Sequence, residues 1–470
     1  LRLKIANLLG YETYADYVLE ERMAENPKTV NDFLAELRDA TVEYAKKDYS
    51  TINEYAKSTG FKGDIMPWDW AYYTEKYKNE KYAINDEQIK PYLKLDNVIK
   101  GVFMTAEKLY GLQFVPNTEI SVYHPEVMAY EVKDKSGEFL SVLYLDFFPR
   151  ESKRSGAWMT EFRGAQIVEG VETRPLVSLV MNFTKPTETT PSLLTFDEFN
   201  TFLHEFGHAL HGMLAKGEYE SLNGTNVYRD FVELPSQIME NWAFSKEMLQ
   251  QYAIHYQSGE VMPEEMIEKI HKCSTFNEGF NTTELLAAAL SDFDIHAVQS
   301  ADEVNVAEFE RQSLAEKRGL ISQIEPRYHY TYFSHIFDGG YSAGYYFYIW
   351  AEVLDKDAYQ AFVESGDIFD KATAERFRRE VLSKGGTRAG MDMYRAFRGA
   401  DPDKSAMLVA RGLIEPEEAE EDVRSDEMIV RVDTRELARQ RAERSRRERE
   451  AARQAEADSL AAIQNAEPAL

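Results

Sequence analysis

Two histidines and a glutamate stand at helical spacing near the middle of the chain, in the pattern HExxH: His204, Glu205 and His208. On a helix, residues four positions apart lie on one face, so both imidazoles can reach one zinc ion while Glu205 projects beside it. This layout is typical of a hydrolase. The alternative is a pair of ordinary histidines on an amphipathic helix. Flanking apolar residues, and Gly207 as a point of close backbone approach, favour metal binding.

A third ligand must lie downstream, because catalytic zinc takes three protein ligands and keeps one position open. Glu233 is our candidate, since it lies among apolar residues at the predicted start of a second helix, with Pro235 in the first turn. The alternative is an exposed acid that favours the helix dipole. Gln237 or Glu240 is predicted to hydrogen-bond a ligating histidine. His211 is predicted to pack near the site, because a fourth protein ligand would close it.

A tyrosine-rich segment, residues 328–350, is the second candidate for chemistry. Tyr341, Tyr345 and Tyr348 follow the spacing i, i+4 and i+7 of a helix that is predicted to begin near a group of glycines. Phenol hydroxyls suit the stabilisation of an oxyanion, and adjacent glycines permit a loop that moves over a substrate. The alternative is an aromatic stripe that only packs in the core.

Three ordered blocks of the sequence resemble the thimet oligopeptidase family of zinc metallopeptidases. The blocks are HEFGHALH at 204–211, GTNVYRDFVELPSQ at 224–237 and SHIFDGGYSAGYY at 334–346. The residue sequence of the last block is most similar to that of bacterial peptidyl-dipeptidases, also called dipeptidyl carboxypeptidases.

The resemblance implies that His204, His208 and Glu233 hold one zinc ion and that Glu205 is the general base. It also implies that three residues of the tyrosine-rich segment bind substrate or stabilise the transition state: His335, Tyr345 and Tyr348. Further substrate contacts are expected from the glycine turn and the tyrosine after it: Gly339, Gly340 and Tyr341.

The elements that must position these residues are mostly helical. Helix-like patterns cover residues 1–112, clearest at 28–57 and 96–110, and return from 196 to about 413. Between them, strand-like runs predict a small antiparallel sheet beside the metal helix: 120–123, 140–145 and 176–181. With the resemblance, this predicts a mainly α, zincin-like metallopeptidase with a deep substrate channel.

Three regions are expected along the chain. Residues 1–112 form a helical part of the channel wall, residues 113–414 the catalytic zinc-peptidase domain, and residues 415–470 a charged, solvated helical tail. A partner-binding helix at 433–457 is the alternative for that tail. The chain opens at Leu1 in a segment that resembles an interior stretch of the family, so a substantial N-terminal region is expected to be absent.

Composition excludes several classes of function. A formal net charge of −27 argues against nucleic-acid binding, which needs a basic surface. No apolar run approaches the roughly 18 residues of a membrane span. Cys273 is the only cysteine, which excludes an intramolecular disulfide and a cysteine-rich zinc site and disfavours a cysteine nucleophile. We expect a cytoplasmic monomer, with a periplasmic location as the alternative.

The leading hypothesis is zinc-dependent hydrolysis of short, unstructured peptides, most simply by release of C-terminal dipeptides. One alternative is internal cleavage of oligopeptides. Another is a truncated fragment that binds zinc and peptides with little turnover. A purely helical scaffold would bind no zinc.

Overall fold

The computed structural model describes residues 1–300, 302 and 304–415, which all belong to one compact unit, Leu1–Arg424. The predicted charged tail, including the helix expected at 433–457, lies outside the described residues except for Glu415. None of the helices in the described part combines the length and apolar composition that a membrane crossing requires.

Helices make up most of the described residues. The first half of the chain contains α1 Arg2–Leu8, α2 Tyr14–Leu19, α3 Pro27–Ser58, α4 Pro67–Tyr82, α5 Asp86–Ile89, α6 Leu95–Tyr110 and α7 Phe196–Met213. The second half contains α8 Leu234–Glu240, α9 Lys246–Tyr252, α10 Glu264–Cys273, α11 Glu278–His296, α12 Val306–Arg311, α13 Ser334–Phe337, α14 Phe347–Ser365, α15 Lys371–Phe377, α16 Gly390–Arg398 and α17 Ser405–Ala410. The prediction of a mainly helical fold is confirmed.

The two long helices predicted near the start of the chain, α3 and α6, begin and end for local reasons. The Asn26 side chain caps α3 by accepting the Thr29 N–H, and Pro27 occupies the first helical position, where no N–H partner is needed. Gly111 ends α6 in the left-handed conformation with φ of 69°. Both helices place apolar side chains in the main core, which they share with α7 and α11.

A five-stranded sheet lies between α6 and α7 in the sequence, with the strand order β1-β2-β3-β7-β4. A separate two-stranded ribbon pairs β5 with β6. The strands are β1 Gln113–Pro116, β2 Met128–Lys133, β3 Phe139–Asp146, β4 Trp158–Arg163, β5 Gln166–Val168, β6 Val171–Thr173 and β7 Leu176–Val180. β4 is therefore an edge strand.

Two features of the sheet differ from the prediction. The sheet is mixed, because β3 and β7 pair in parallel, whereas the sequence analysis predicted an antiparallel sheet. Residues 120–123, predicted as a strand, form no strand but belong to the irregular segment between β1 and β2. In this segment the Tyr123 hydroxyl donates to Asp146 at 3.0 Å, and the chain turns at His124 and Pro125. The predicted strands at 140–145 and 176–181 are confirmed as β3 and β7.

The helix α7 rests on this sheet through its aromatic side. Thr195 caps it in a reciprocal bond with Glu198, as the sequence predicts for a helix start near this residue. Phe202 packs against Phe147 of the sheet layer with ring centroids 5.1 Å apart. Phe202 and Phe206 are fully buried, and burial of one such side chain contributes roughly 1.5–3 kcal/mol. This anchoring fixes the rotation of α7 and therefore the direction of its histidines.

The helix α8 crosses α7 at Gly207. A Cβ atom added to Gly207 would overlap the Pro235 carbonyl oxygen and lie 2.6 Å from Ser236 Cα. Only glycine permits the two backbones to come this close, which confirms the expectation drawn from the sequence. The contact brings the first residues of α8 beside the middle of α7.

The tyrosine-rich segment is not helical throughout, which corrects the sequence analysis. The helix α14 begins only at Phe347, so Tyr341 and Tyr345 lie in the turn before it. Gly340 has φ of +83° and Ala343 has φ of +52°, and these left-handed residues interrupt a helix. The tyrosines nevertheless converge, since the Tyr341 ring stacks on Tyr348 with centroids 5.4 Å apart.

Candidate active site

The residues predicted as metal ligands come together between α7 and α8. The Nε2 atoms of His204 and His208 lie 3.3 and 3.2 Å from the same oxygen, Oε2 of Glu233. Ligand atoms of the three side chains all lie within 4.8 Å of one another. Glu233 occupies the position just before α8, where the contact at Gly207 holds it opposite the two histidines.

The spacing of these atoms fits a tetrahedral metal ion. With zinc–ligand bonds of about 2.0–2.1 Å, two ligand atoms of a tetrahedral site are separated by about 3.3 Å. The two measured separations from Glu233 Oε2 agree with this value. Two imidazoles and one carboxylate are also a known ligand set of catalytic zinc.

The charges of the cluster favour a cation between the Glu233 carboxylate and the two imidazoles. Burial opposes ionisation of Glu233, yet the neighbouring His208 and His204 outweigh it and hold its pKa well below the usual range. Burial also opposes protonation of His204, but Glu233 and Glu240 raise the pKa of this imidazole well above its usual value. A buried carboxylate beside two imidazoles thus attracts a cation.

His204 and Glu233 are each oriented by further contacts, whereas the Nδ1 atom of His208 has no hydrogen-bond partner among the described residues. The His204 Nδ1 atom lies 2.7 Å from Glu240 Oε1, and Asn200 donates to the other oxygen of Glu240 at 2.9 Å. Such a carboxylate fixes the ring orientation of a metal-binding histidine. Of the two candidates for this contact, the structure shows Glu240, whereas Gln237 donates to the Tyr348 carbonyl instead. Asn200 was missed, although its position one turn before His204 placed it on the same face.

Glu233 is held at both oxygens. The Ser236 hydroxyl donates to Oε2 and the Tyr341 hydroxyl donates to Oε1, each at 3.0 Å. Tyr341 therefore contacts a ligand candidate, a contact that the sequence spacing did not indicate. Its phenol remains a donor, because burial and the Glu233 charge raise its pKa.

Glu205 lies in the same cavity as the three ligand candidates. This cavity has a volume of about 220 Å³ and is also lined by Met159 of β4 and by Tyr348. Burial raises the pKa of Glu205, which makes its carboxylate a stronger base, while the two histidines act in the opposite direction. One of its oxygens is buried without a hydrogen-bond partner among the described residues, and a molecule bound beside it would supply that partner.

His211 packs without joining the cluster. Its side chain is fully buried, and neither ring nitrogen has a hydrogen-bond partner among the described residues. Burial lowers the pKa of His211 to about 3, so the ring is neutral. The metal-ligand cluster found among the described residues contains His204, His208 and Glu233 without it.

A second cavity of about 420 Å³ adjoins the first, since His204 and Tyr348 line both. His335 and Tyr345 line only this larger cavity. Burial raises the pKa of Tyr345 and of Tyr348, so both phenols stay protonated and can donate. Burial and the neighbouring Arg327 lower the pKa of His335, which keeps its imidazole neutral.

The two glycines expected to contact substrate occupy a different place. Neither Gly339 nor Gly340 lines these two cavities. They form the turn between α13 and Tyr341, where the Tyr341 N–H donates to the His335 carbonyl at 2.9 Å. The two glycines therefore form the chain connection between His335 and Tyr341.

Similarity to known proteins identifies the family of the chain. Residues 1–413 match the model of Peptidase family M3. The chain belongs to this family. The match confirms the resemblance drawn from the three sequence blocks and extends it to all but the last part of the chain.

Curated members of the family give the extent of the similarity. The chain is 41% identical over 410 residues to the dipeptidyl carboxypeptidase of Salmonella typhimurium, which covers 87% of this chain and 60% of that protein. It is 38% identical over 420 residues to oligopeptidase A of Escherichia coli, covering 88% and 61%. The chain thus spans about three fifths of the length of these relatives.

The fold also has a counterpart among solved structures. One of them, described as "The Structure of CHT", is 13% identical and superposes with a TM-score of 0.50, covering 88% of this chain and 72% of that one. At this identity the likeness concerns the fold alone.

Proposed function

We propose that this M3-family chain is a zinc-dependent peptidase that hydrolyses short, unstructured peptides. The observation that carries the proposal is the meeting of three ligand candidates and a buried carboxylate, Glu205, in one cavity. His204, His208 and Glu233 would hold the metal ion. When bound, zinc supplies a Lewis acid that lowers the pKa of water and polarises the peptide carbonyl.

Glu205 is the proposed general base. Its carboxylate takes a proton from the attacking water as the water oxygen bonds to the carbonyl carbon. The same carboxyl group then delivers this proton to the amine nitrogen as the C–N bond breaks. Burial suits both steps, because it raises the proton affinity of Glu205.

Tyr348 and Tyr345 are the proposed donors to the oxyanion. Tyr348 is the better placed of the two, because it lines both cavities, whereas Tyr345 lines only the larger one. The Tyr348 ring also stacks on Tyr341, whose hydroxyl donates to Glu233, so Tyr348 is held beside the ligand cluster. His335 contacts the Tyr345 ring with centroids 5.6 Å apart and is proposed to bind the substrate.

The edge strand β4 is the proposed docking site for the peptide backbone. Trp158 and Met159 line the smaller cavity, and among the described residues β4 pairs with β7 alone. An extended peptide can add to such an edge as a further strand, with affinity from main-chain hydrogen bonds. This mode favours unfolded substrates, because a folded protein does not present an extended strand.

We further propose release of C-terminal dipeptides as the activity, with internal cleavage as the alternative. The support is the identity to dipeptidyl carboxypeptidases and the presence of Arg327 in the larger cavity. The Arg327 side chain is 48% exposed, so its guanidinium can reach a terminal carboxylate while it pairs with Glu284.

Metal binding and proton transfer are separable by substitution. His208→Ala is expected to lose both zinc and peptidase activity. Glu205→Gln keeps shape and all three ligands, so we expect stoichiometric zinc but a loss of activity of roughly 10² to 10⁴. Glu310→Gln is the control, since this buried carboxyl bonds His329, lines neither cavity and is expected to affect neither zinc content nor turnover.

Metal analysis and peptide turnover are the two measurements. Near-normal turnover by zinc-loaded Glu205→Gln would show that Glu205 is not the general base. A wild-type chain that binds zinc but cleaves no peptide would instead support the alternative of a fragment with little turnover.

A pair of peptides distinguishes the two modes of cleavage. The first has a free C-terminus and the second is its C-terminal amide. Removal of a carboxylate that pairs with Arg327 is expected to lower kcat/KM at the penultimate bond by roughly tenfold or more, as for a charged hydrogen bond of about 1.5–3 kcal/mol. Mass spectrometry of the products measures this, and equal internal cleavage of both peptides would establish the endo-acting alternative.

Removal of single hydroxyl groups tests the oxyanion donors. Tyr348→Phe is expected to lower kcat by roughly 10² to 10³, with Tyr345→Phe as the second variant and zinc content unchanged. Tyr346→Phe is the matched control, because the Tyr346 hydroxyl bonds buried Asp230 at 3.0 Å rather than facing a cavity. It is expected to lower stability by about 1 kcal/mol but not kcat. Wild-type kcat in Tyr345→Phe, in Tyr348→Phe and in the double variant would show that the two tyrosines have only a structural role.

A further inference from the structure

One buried carboxylate, Asp292 of α11, gathers the backbone of the tyrosine turn. The Ala343 N–H donates to Oδ1 at 3.0 Å, while Gly344 and Tyr345 donate to Oδ2 at 2.7 and 2.9 Å. Three consecutive amides thus point at one side chain that is only 1% exposed. Such a concave set of N–H groups is a binding site for a negatively charged group.

The turn depends on this partner for its shape. Ala343 adopts φ of +52°, a region that an alanine rarely occupies. The backbone can hold this conformation because the N–H groups that it turns inward are satisfied by Asp292. Without the carboxylate, the buried Tyr345 amide would lack an acceptor, whereas Gly344 would keep the Tyr341 carbonyl at 2.9 Å, and the turn would rearrange to bring Tyr345 to another acceptor or to water.

A second contact fixes the carboxylate from behind. The His296 Nδ1 atom lies 2.7 Å from Asp292 Oδ1, and an Arg2 nitrogen lies 2.7 Å from His296 Nε2. Arginine only donates, so Nε2 accepts and the ring proton is on Nδ1, which donates to Asp292. Arg2 also lies over the rings of Tyr14 and Phe337, at 5.4 Å from each centroid. Asp292 therefore receives four hydrogen bonds and has little freedom to move.

We propose that Asp292 is a positioning residue that sets Tyr345 and Tyr348 for the reaction. Its bond to the Tyr345 amide fixes the last residues before α14, and Tyr348 lies in the first turn of that helix. Asp292 is not among the residues that line the two cavities, so it acts through the tyrosines and not on the substrate. The inference rests on the proposed function, because it assumes that the two phenols act in turnover.

The chemistry of the site requires a carboxylate. Asn at this position has one acceptor oxygen and one NH2 group, which would face either the Gly344 and Tyr345 amides or the Ala343 amide and His296. In either orientation the NH2 group of Asn would face two hydrogen-bond donors and could accept from neither. Asp292→Asn preserves the volume of the side chain, so its effect comes from the hydrogen bonds.

The expected result is a change in kcat with little change in KM. Asp292→Asn is expected to lower kcat by roughly 10- to 100-fold, as for a small displacement of a catalytic group, and to keep zinc and KM near wild type. Asp294→Asn is the control: it is 3% exposed, belongs to the same helix and bonds Ser313, Lys317 and Arg318 instead of the turn. It is expected to lower stability without changing kcat.

A double-mutant cycle tests whether Asp292 acts through the tyrosines. In the Tyr345→Phe/Tyr348→Phe background, Asp292→Asn is expected to cause no further loss of kcat. An equal loss in both backgrounds, or wild-type kcat in Asp292→Asn, would overturn the inference while the proposed function stands. Wild-type kcat in the Tyr345→Phe/Tyr348→Phe variant would refute the tyrosine part of the proposed function and the inference together.

Hydrogen exchange of the unaltered protein tests the inference even where Asp292→Asn does not fold. The amides of Ala343, Gly344 and Tyr345, resolved by fragmentation in the mass spectrometer, are expected to exchange as slowly as the core amides of α11. Exchange as fast as that of exposed Gly340 would overturn the inference, since the turn would then not be held by the carboxylate.

Discussion

The close approach of two backbones at Gly207 is the constraint on which the candidate active site depends. Since this residue has no side chain, α8 lies directly against α7, with the Ser236 Cα atom where a larger residue would need space. A glycine inside a helix costs about 1 kcal/mol relative to alanine. The close contact places Glu233 so that its Oε2 atom lies 3.3 and 3.2 Å from the Nε2 atoms of His204 and His208.

The polar groups around this contact form one connected arrangement. Glu240 orients His204, and Tyr341 and Ser236 hold the two oxygens of Glu233. Buried charges are costly unless they are paired and hydrogen-bonded, and these contacts satisfy that requirement at His204 and Glu233. Glu205 keeps one buried oxygen without a hydrogen-bond partner among the described residues, and a molecule that binds beside it would supply that partner. Packing and chemistry are therefore set by the same few contacts.

Much of this arrangement could be predicted from local sequence patterns. The spacing of His204 and His208 predicts a shared face, and Pro235 after Glu233 indicates the start of a helix, because both are properties of a few neighbouring residues. Relations between distant segments were less accessible. The parallel pairing of β3 with β7 was missed, since strand direction depends on the connection between the strands and not on their own residues.

The tyrosine turn shows the same limit. The spacing of its tyrosines fits a helix, but α14 begins only at Phe347. Ala343 before it adopts a left-handed conformation, which an alanine in the sequence does not predict. The reason lies 51 residues earlier in the chain, where Asp292 accepts the Ala343 amide. Because this contact is long-range, a single sequence does not reveal it.

The zinc affinity of Gly207→Ala tests the central claim most directly. The added methyl group must push α8 away from α7, so we expect weaker zinc binding together with a loss of stability of about 1–3 kcal/mol. Gly101→Ala is the control, because its Cβ would meet the Tyr252 ring at 2.5 Å in another helix contact. It is expected to lose stability but keep wild-type zinc affinity. Wild-type zinc affinity in folded Gly207→Ala would contradict the account.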